Sequence, residues 1–171
     1  MDDLAELLPT KLDLKKQLFI HAARNNINGI TDLMLTQGFN QQDILQLNQQ
    51  KQSVLTPICS VNCEKVFRFL IHSMPNDIIK DRLMIPEASK SYPLKRAIQN
   101  NHYNGVLKLI FKDDKFGLLQ HKDFEGKTPL KICWDFNKGK CALLVLQNVK
   151  RWEDRLKMIE YSGGGDTTSL Q

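Results

Sequence analysis

Cysteine and histidine are the residues of this chain whose chemistry could hold a metal ion. Cys59 and Cys63 lie one helical turn apart and His72 follows them, so two thiolates and an imidazole are available as zinc ligands. A Cys-x3-Cys pair without a second cysteine pair is a weak zinc signal, and packing of small apolar residues explains the spacing more simply. We therefore predict that the protein holds neither a metal ion nor another cofactor.

Nucleophilic catalysis is the second chemistry that these residue types allow. Cys133 and Cys141, like the first pair, fall in predicted helices where small core residues belong. Buried thiols are protonated and inert, and reduced cysteines are usual in the cytosol. His21 lies beside two alanines, and no His-Glu-x-x-His, phosphate-binding glycine loop or Gly-x-Ser-x-Gly occurs. We predict that the protein is not an enzyme; a novel site at Cys63 with a nearby histidine is the alternative.

The composition is that of an ordinary globular domain. The chain has 171 residues, of which 42% are hydrophobic and 25% charged, which suits a single domain with a buried core. The amino terminus begins with acidic residues and lacks a long apolar run, so we expect neither a secretory signal peptide nor a membrane span. We expect a soluble, cytoplasmic protein.

The net charge of +5 is spread along the chain. Lysine and arginine alternate with acidic residues and form no block, which favours solvated helix faces over a nucleic-acid or membrane patch. Nucleic-acid binding is therefore a minor alternative, and its binding would weaken steeply with salt. The basic residues that could carry it are Lys65, Arg68, Lys90, Lys95 and Arg96.

Residues 123–146 show which elements position the side chains of this protein. Asp123 and Gly126 predict a turn, after which Thr128 can cap a helix that has Pro129 as its first residue. Asn137 follows this helix and can adopt the left-handed conformation that ends helices. The apolar residues of this helix and of the next one are Leu130, Cys133, Cys141, Leu144 and Val145. The stretch is typical of a turn, helix, turn, helix unit.

The same unit recurs three times upstream. An asparagine follows the first helix of each unit, with separations of 36, 39 and 36 residues: Asn26, Asn62, Asn101 and Asn137. Each second helix carries apolar residues at i, i+3 and i+4. The predicted apolar faces upstream are Phe19, Ala22, Ala23, Ile30, Leu33 and Met34; Leu55, Ile58, Cys59, Val66, Phe69 and Leu70; and Leu94, Ala97, Ile98, Val106, Leu109 and Ile110. We interpret the chain as four degenerate repeats.

The fourth unit resembles an ankyrin repeat, whose pattern is Asp-x-x-Gly-x-Thr-Pro-Leu-His followed by a second helix. Only this unit has Thr-Pro-Leu, and Lys131 stands where the family has histidine. The resemblance implies an all-α, ankyrin-like solenoid of stacked helix-turn-helix repeats. Because the spacing exceeds the family's length of about 33 residues, we expect short extra helices in the inter-repeat loops, within segments 39–47 and 75–86.

One domain is expected to span residues 1–161. Its parts are an N-terminal cap helix at 2–8, repeats at about 12–47, 48–86, 87–122 and 123–148, and a C-terminal cap helix at 149–161. Val149, Trp152, Leu156 and Ile159 have helical spacing and form the predicted apolar stripe of that last helix. Residues 162–171 are rich in glycine, serine and threonine and are expected to form a flexible tail.

The resemblance also implies where a partner would bind. In ankyrin proteins, turn tips and the exposed ends of the first helices form a concave ridge that contacts another protein. Carried onto this sequence, these positions are Arg24, Asn25, Gln49, Gln50, Gln52, Ser89, Ser91, Gln99, Asn100, Phe124, Glu125, Lys127, Asp135 and Phe136. We expect Trp134 to be buried, because it lies at a helix-facing position.

These observations favour a non-enzymatic scaffold or adaptor that binds a partner protein, with no small-molecule substrate. A narrower hypothesis follows from the shortness of the chain, its divergent repeats and its many Asn, Gln, Lys and Ile residues. Such proteins resemble secreted effectors of intracellular bacteria, or viral ankyrin proteins. The partner would then be a host protein in the host cytosol.

Overall fold

The computed structural model describes residues 9–163, and in this part of the chain there are eleven α-helices, one 3₁₀ turn at Lys112–Asp114 and no β-strand. The helices are α1 Lys11–Ala23, α2 Ile27–Thr36, α3 Gln41–Leu45, α4 Leu55–Val61, α5 Glu64–Ser73, α6 Asn76–Met84, α7 Pro93–Gln99, α8 Val106–Phe111, α9 Pro129–Asp135, α10 Gly139–Asn148 and α11 Trp152–Gly163. The all-α class is confirmed. Within the described range, no helix has the length and apolar character needed to cross a bilayer.

Eight of these helices form four consecutive pairs: α1 with α2, α4 with α5, α7 with α8, and α9 with α10. The first helices of the pairs contact one another in chain order, α1 with α4, α4 with α7, and α7 with α9. The second helices do the same, α2 with α5, α5 with α8, and α8 with α10. The pairs are therefore arranged as two series of helices, which we call the first series and the second series.

Local sequence signals explain where several helices begin. Thr10 forms a capping box at the start of α1, in which its hydroxyl accepts from the Asp13 N–H and Asp13 bonds back to Thr10. Thr128 caps α9 through the Lys131 N–H, and Pro129 takes the first helical position, where its missing N–H costs nothing. Asn40 forms a second capping box at α3. The cap at Thr128 starts α9 where the sequence pattern predicts it.

An asparagine in the left-handed region follows the first helix of each pair. The residues are Asn25, Asn62, Asn101 and Asn137, with φ of 54°, 60°, 60° and 53°. In the first pair the prediction of Asn26 is wrong by one residue, because Asn26 has φ −97° and instead caps α2. The corrected separations are 37, 39 and 36 residues, and they match those of the fully buried leucines Leu18, Leu55, Leu94 and Leu130.

These asparagines also join neighbouring pairs. The Val66 N–H donates to Asn25 Oδ1, and the Val106 N–H donates to Asn62 Oδ1, both at 3.0 Å. In the third interval the Cys141 thiol lies 3.4 Å from Asn101 Oδ1. One residue type therefore ends a helix in the first series and satisfies a polar group at the start of the next pair's second helix.

The apolar faces of the pairs merge into one core. Most of the predicted positions are buried, including Ile30, Val66, Leu70, Ile110 and Val145. Five predicted positions are only partly buried: Ala23, Met34, Phe69, Leu109 and Leu144. Phe19, the predicted start of the first apolar face, is also only partly buried, and the preceding Leu18 takes its place in the core.

The inter-pair segments contain the predicted extra helices. Helix α6 has the predicted bounds of Asn76–Met84, and α3 lies two residues before the predicted helical pattern at 43–47. Ile44 of α3 and both Ile79 and Leu83 of α6 are fully buried, so these helices extend the core. They are integral parts of the domain and are not loose insertions.

Helix α11 differs from the predicted C-terminal cap helix in bounds and in orientation. It begins at Trp152, whereas Val149 is buried but ends α10 in an extended conformation. Met158 and Ser162 face the protein and α11 contacts α9, so most of the predicted apolar stripe points outward. Arg155 Nε donates to the Val149 carbonyl at 2.7 Å and fixes this rotation. The predicted helix at 2–8 and the tail beyond residue 163 lie outside the described residues.

Candidate protein-binding surface

Three turns between the pairs share one backbone geometry. The N–H groups of Asn48, Glu87 and Asp123 each donate to the carbonyl of the residue four positions later, at 2.9, 2.8 and 2.9 Å. A left-handed residue stands third after each of them: Lys51, Lys90 and Gly126, with φ of 58°, 56° and 74°. The side chains at the tips of these turns are exposed, so the turns present three similar sets of residues to solvent.

None of the predicted site residues is fully buried. The exposed ones are Arg24, Gln49, Gln50, Ser89, Asn100, Phe124, Glu125, Asp135 and Phe136, and the partly buried ones are Asn25, Gln52, Ser91, Gln99 and Lys127. They lie on the three turns and at the carboxyl ends of α1, α7 and α9. A surface composed of these elements is available to a partner, and we call it the ridge.

Some ridge residues already have partners within the protein. Asn25 accepts the Val66 N–H, and Asn100 Nδ2 donates to the Ser60 carbonyl at 3.0 Å. Gln52 Oε1 accepts from Asn48 Nδ2 at 3.1 Å. These polar groups stabilise the turns and the junctions between pairs, so they have less capacity to bond with a ligand.

A network of ion pairs fixes the carboxyl-terminal part of the ridge. Lys127 Nζ lies 2.9 Å from Asp135 and 3.5 Å from Glu125, and Lys131 Nζ lies 3.2 Å from Asp135. Lys95 of α7 reaches Glu125 at 3.6 Å. The network joins the third turn to α7 and α9, so it orients side chains that isolated surface charges would leave free.

The pKa values of Asp135 and Lys127, two members of this network, shift in opposite directions. Burial by itself raises the pKa of Asp135, but the ammonium groups of Lys127 and Lys131 outweigh it and hold the pKa below its usual value. The hydrogen bond to Asp135 raises the pKa of Lys127, despite some loss of solvent. Both shifts favour the charged forms, so the Lys127–Asp135 pair is ionised at neutral pH.

Three exposed aromatic side chains are adjacent in sequence to Glu125 and Asp135 of this network. Phe124, Trp134 and Phe136 are 51%, 45% and 37% exposed. Phe124 packs edge-on against Tyr92, with ring centroids 6.0 Å apart, and the buried Tyr92 hydroxyl donates to Asp123 at 2.6 Å. Phe124 is therefore held in place on one side and open to solvent on the other.

Trp134 is exposed, whereas the sequence predicts that it is buried. It lies three residues before the left-handed asparagine of its pair, and the residues in this register upstream, Ala22, Cys59 and Ile98, are fully buried. In each of those pairs, the next pair covers the position, whereas α11 leaves Trp134 partly open. The sequence signal for this exposure is the position of Trp134 in the last of the four helix pairs.

Cys59 and Cys63, the cysteines considered for a metal or a nucleophile, are both buried. Burial raises the pKa of the Cys59 thiol, and the nearby Cys63 and Glu87 add to the shift. Burial also raises the pKa of Cys63, whose thiol lies 3.4 Å from the Ala23 carbonyl. His72 is exposed and bonds to the Arg68 carbonyl. Among residues 9–163, no three histidine, cysteine or acidic side chains are grouped as a metal site requires.

The basic residues considered for nucleic acid are mostly paired with acids. Arg96 contacts the buried Glu87 at 2.6 Å, Arg68 contacts Glu64 at 2.6 Å, and Lys95 contacts Glu125. Only Lys65 and Lys90 of the five have no acidic partner in the described part of the chain. Such pairing neutralises the charge that phosphate binding requires.

Comparison with protein-family models finds no match for this chain, and comparison with curated proteins finds none either. Function must therefore be inferred from the arrangement of the described residues. That arrangement combines three like turns, a fixed ion-pair network and three exposed aromatic rings.

Proposed function

We propose that the protein is an ankyrin-like repeat module that binds another protein along the ridge. Four helix pairs contact one another in two series, and three turns of equal geometry separate them, which is the arrangement that stacked repeats require. The departures from the ankyrin pattern are single residues, such as Lys131, and longer inter-pair segments that contain α3 and α6. Repeat modules of this kind use their exposed turns and helix ends for recognition.

The observation that carries the proposal is the exposure of Phe124, Trp134 and Phe136, each of which is adjacent in sequence to a carboxylate of the ion-pair network. The contact of exposed aromatic rings with water is unfavourable. Covering the rings with a partner therefore lowers the free energy. Aromatic residues dominate the energetics of known interfaces, and each can supply about 2 kcal/mol or more. Because Phe124 already packs against Tyr92, covering this ring would cost less side-chain entropy than covering a free one.

The test is an affinity capture of partners from cells, followed by a binding measurement with the purified partner. The variant Phe124→Ala/Phe136→Ala should lower the affinity by about 30-fold or more for each ring that anchors the interface, which corresponds to about 2 kcal/mol. Leu35 is a matched control, because it is 80% exposed and lies on α2 of the second series. Leu35→Ala should leave the affinity unchanged.

Both variants alter exposed side chains, so both should retain the thermal unfolding midpoint of the parent protein. Capture of the same partners with equal affinity by the parent protein and the double-alanine variant would refute the assignment of these rings as anchors. A loss caused equally by Leu35→Ala would indicate that the second series, and not the ridge, binds the partner.

A further inference from the structure

The first two turns of the ridge each carry a lysine in an unusual backbone conformation. Lys51 and Lys90 have φ of 58° and 56°, in the left-handed region that residues with a β-carbon rarely occupy. In the described part of the chain, every other residue with positive φ is glycine, asparagine or aspartate, the types that tolerate this region best. Gly126 has the same position in the third turn. The two lysines therefore stand where the backbone alone would favour glycine.

Both lysines present an uncompensated charge from a fixed backbone. The N–H groups of Lys51 and Lys90 donate to the carbonyls of Asn48 and Glu87, the first residues of their turns, at 3.0 and 2.9 Å. Both side chains are exposed, and neither forms an ion pair within residues 9–163. The turns thus hold the start of each side chain in place and leave its ammonium group available to a ligand.

The packing of the first series sets the distance between the turns. The first turn precedes α4 and the second precedes α7, and these two helices contact each other. Because the axes of packed helices lie about 8–10 Å apart, adjacent turns are separated by about the same distance. The third turn precedes α9, which contacts α7, and it carries the exposed Phe124. The ridge therefore presents two cations and an aromatic ring at similar intervals.

The acidic residues of the second and third turns already have partners within the protein. These contacts are Glu87 with Arg96 at 2.6 Å, Glu125 with Lys95 and Lys127 at 3.6 and 3.5 Å, and Asp123 with the Tyr92 hydroxyl at 2.6 Å. The charges of Lys51 and Lys90 are therefore the ones that remain for a ligand. A partner with carboxylates opposite these lysines would gain favourable charge contacts, and a basic partner would be repelled.

We propose, building on the proposed function, that the partner presents an extended acidic segment to the ridge. Two carboxylates of the segment contact Lys51 and Lys90, and an apolar side chain covers Phe124. A polyproline II segment has three residues per turn and rises about 3.1 Å per residue, so residues i, i+3 and i+6 share one face about 9 Å apart. This spacing matches that of the turns. The segment therefore has the pattern acidic-x-x-acidic-x-x-apolar, read from the first turn to the third.

The experiment measures the binding of labelled synthetic peptides to the full chain by fluorescence anisotropy. Two acidic peptides contain Glu-Pro-Pro-Glu-Pro-Pro-Leu and its reverse, since the segment can cross the turns in either chain direction. Their controls have glutamine in place of both glutamates. We expect the better of the two acidic peptides to bind about 10-fold tighter than its glutamine control, which is the effect of two exposed ion pairs. This preference should decrease as the salt concentration rises.

Two variants locate the binding and separate it from stability. Lys51→Gly/Lys90→Gly should abolish the preference for glutamate over glutamine. Its urea midpoint should equal or exceed that of the parent protein, because glycine adopts positive φ without the steric cost of a β-carbon. Lys65→Gln/Lys108→Gln is the matched control, since it removes two exposed lysines from the second series and changes the net charge by the same amount. This control should retain the preference for glutamate.

Several results would overturn the inference. Equal binding of the glutamate and glutamine peptides, or no binding of either acidic peptide at millimolar concentration, would exclude recognition of an acidic segment. Loss of the preference in Lys65→Gln/Lys108→Gln would show an effect of net charge alone. A lower urea midpoint in Lys51→Gly/Lys90→Gly would give the lysines a structural role in their turns.

The failure of this inference is distinguishable from the failure of the proposed function. A cellular partner that depends on Phe124 and Phe136, but binds the parent protein and Lys51→Gly/Lys90→Gly equally, would refute the acidic segment and leave the proposed function intact. Tighter binding of a single-stranded oligonucleotide than of either acidic peptide, lost in Lys51→Gly/Lys90→Gly, would assign the lysines to nucleic acid and refute the acidic segment.

Discussion

Gly105→Ala tests whether the asparagine contacts between neighbouring pairs stabilise the protein. The Val106 N–H donates to Asn62 Oδ1 at 3.0 Å, and Val106 is fully buried. A β-carbon at Gly105 would overlap the Asn62 carboxamide, so alanine must push this side chain away from the N–H. The substitution therefore breaks a hydrogen bond that belongs to the preceding pair.

The size of the effect follows from the burial of the donor. An unsatisfied buried N–H costs about 1–3 kcal/mol, which is the expected loss for Gly105→Ala. Asn62→Ala removes the same acceptor and also places alanine at φ 60°, which adds about 1–2 kcal/mol. The double variant Asn62→Ala/Gly105→Ala loses the bond to the Val106 N–H only once. It also lacks the carboxamide that the new β-carbon would overlap. The two changes should therefore be non-additive by about 1–3 kcal/mol.

Stability is measured by equilibrium urea unfolding of the parent and the three variants, with circular dichroism as the signal. The free energies are compared at a common m-value. Gly139→Ala is the matched control, because a β-carbon there meets no atom within 4 Å. It should leave stability unchanged or raise it by up to about 1 kcal/mol. Additive losses in the double variant, or a Gly105→Ala protein as stable as the control, would refute the role of this contact.

Three further outcomes follow from the structure. Leu70→Ala should cost about 2–5 kcal/mol in urea unfolding, and Leu144→Ala clearly less, because Leu70 is fully buried and Leu144 only partly. The pKa of Asp135 is lowered in the folded protein, so its stabilising effect is complete above the unfolded value of 3.8 and declines as the pH falls through the folded value. In Asp135→Asn, the urea midpoint should therefore change less between about pH 5 and pH 2 than it does in the parent protein. Cys63 is buried and its pKa is raised, so it should react with a thiol reagent at pH 7 only as fast as the protein unfolds. Rapid labelling of the folded protein would instead favour the alternative of an enzymatic site at Cys63.

The sequence predicts most of the helices because their boundary signals are local. Helix α6 has the predicted bounds, and Thr128 with Pro129 marks the start of α9. Local signals fail in the first pair, where Leu18 is followed by another apolar residue and two asparagines are adjacent at 25 and 26. There Asn26 caps α2, and Asn25 accepts the Val66 N–H, a bond that joins residues far apart in sequence.

The exposure of the aromatic residues is less predictable than the helices. The apolar stripe of Trp152, Leu156 and Ile159 suggests that this face of α11 is buried. In the structure these three residues are exposed, and an adjacent face is buried. The contact with α9 selects the face with Met158, and this contact is not encoded in the periodicity of α11 alone. Trp134 is misassigned for a related reason, since its burial depends on the element that follows the last pair.

Cross-linking of the protein to a captured partner, with mass-spectrometric assignment of the linked lysines, tests the proposed function most directly. Lysines on the ridge turns are Lys51, Lys90 and Lys127, and exposed lysines of the second series and its adjoining turn are Lys65, Lys108 and Lys112. Binding along the ridge predicts cross-links from the first group, and their loss in Phe124→Ala/Phe136→Ala. Cross-links from the second group alone would contradict the proposal that the ridge binds the partner.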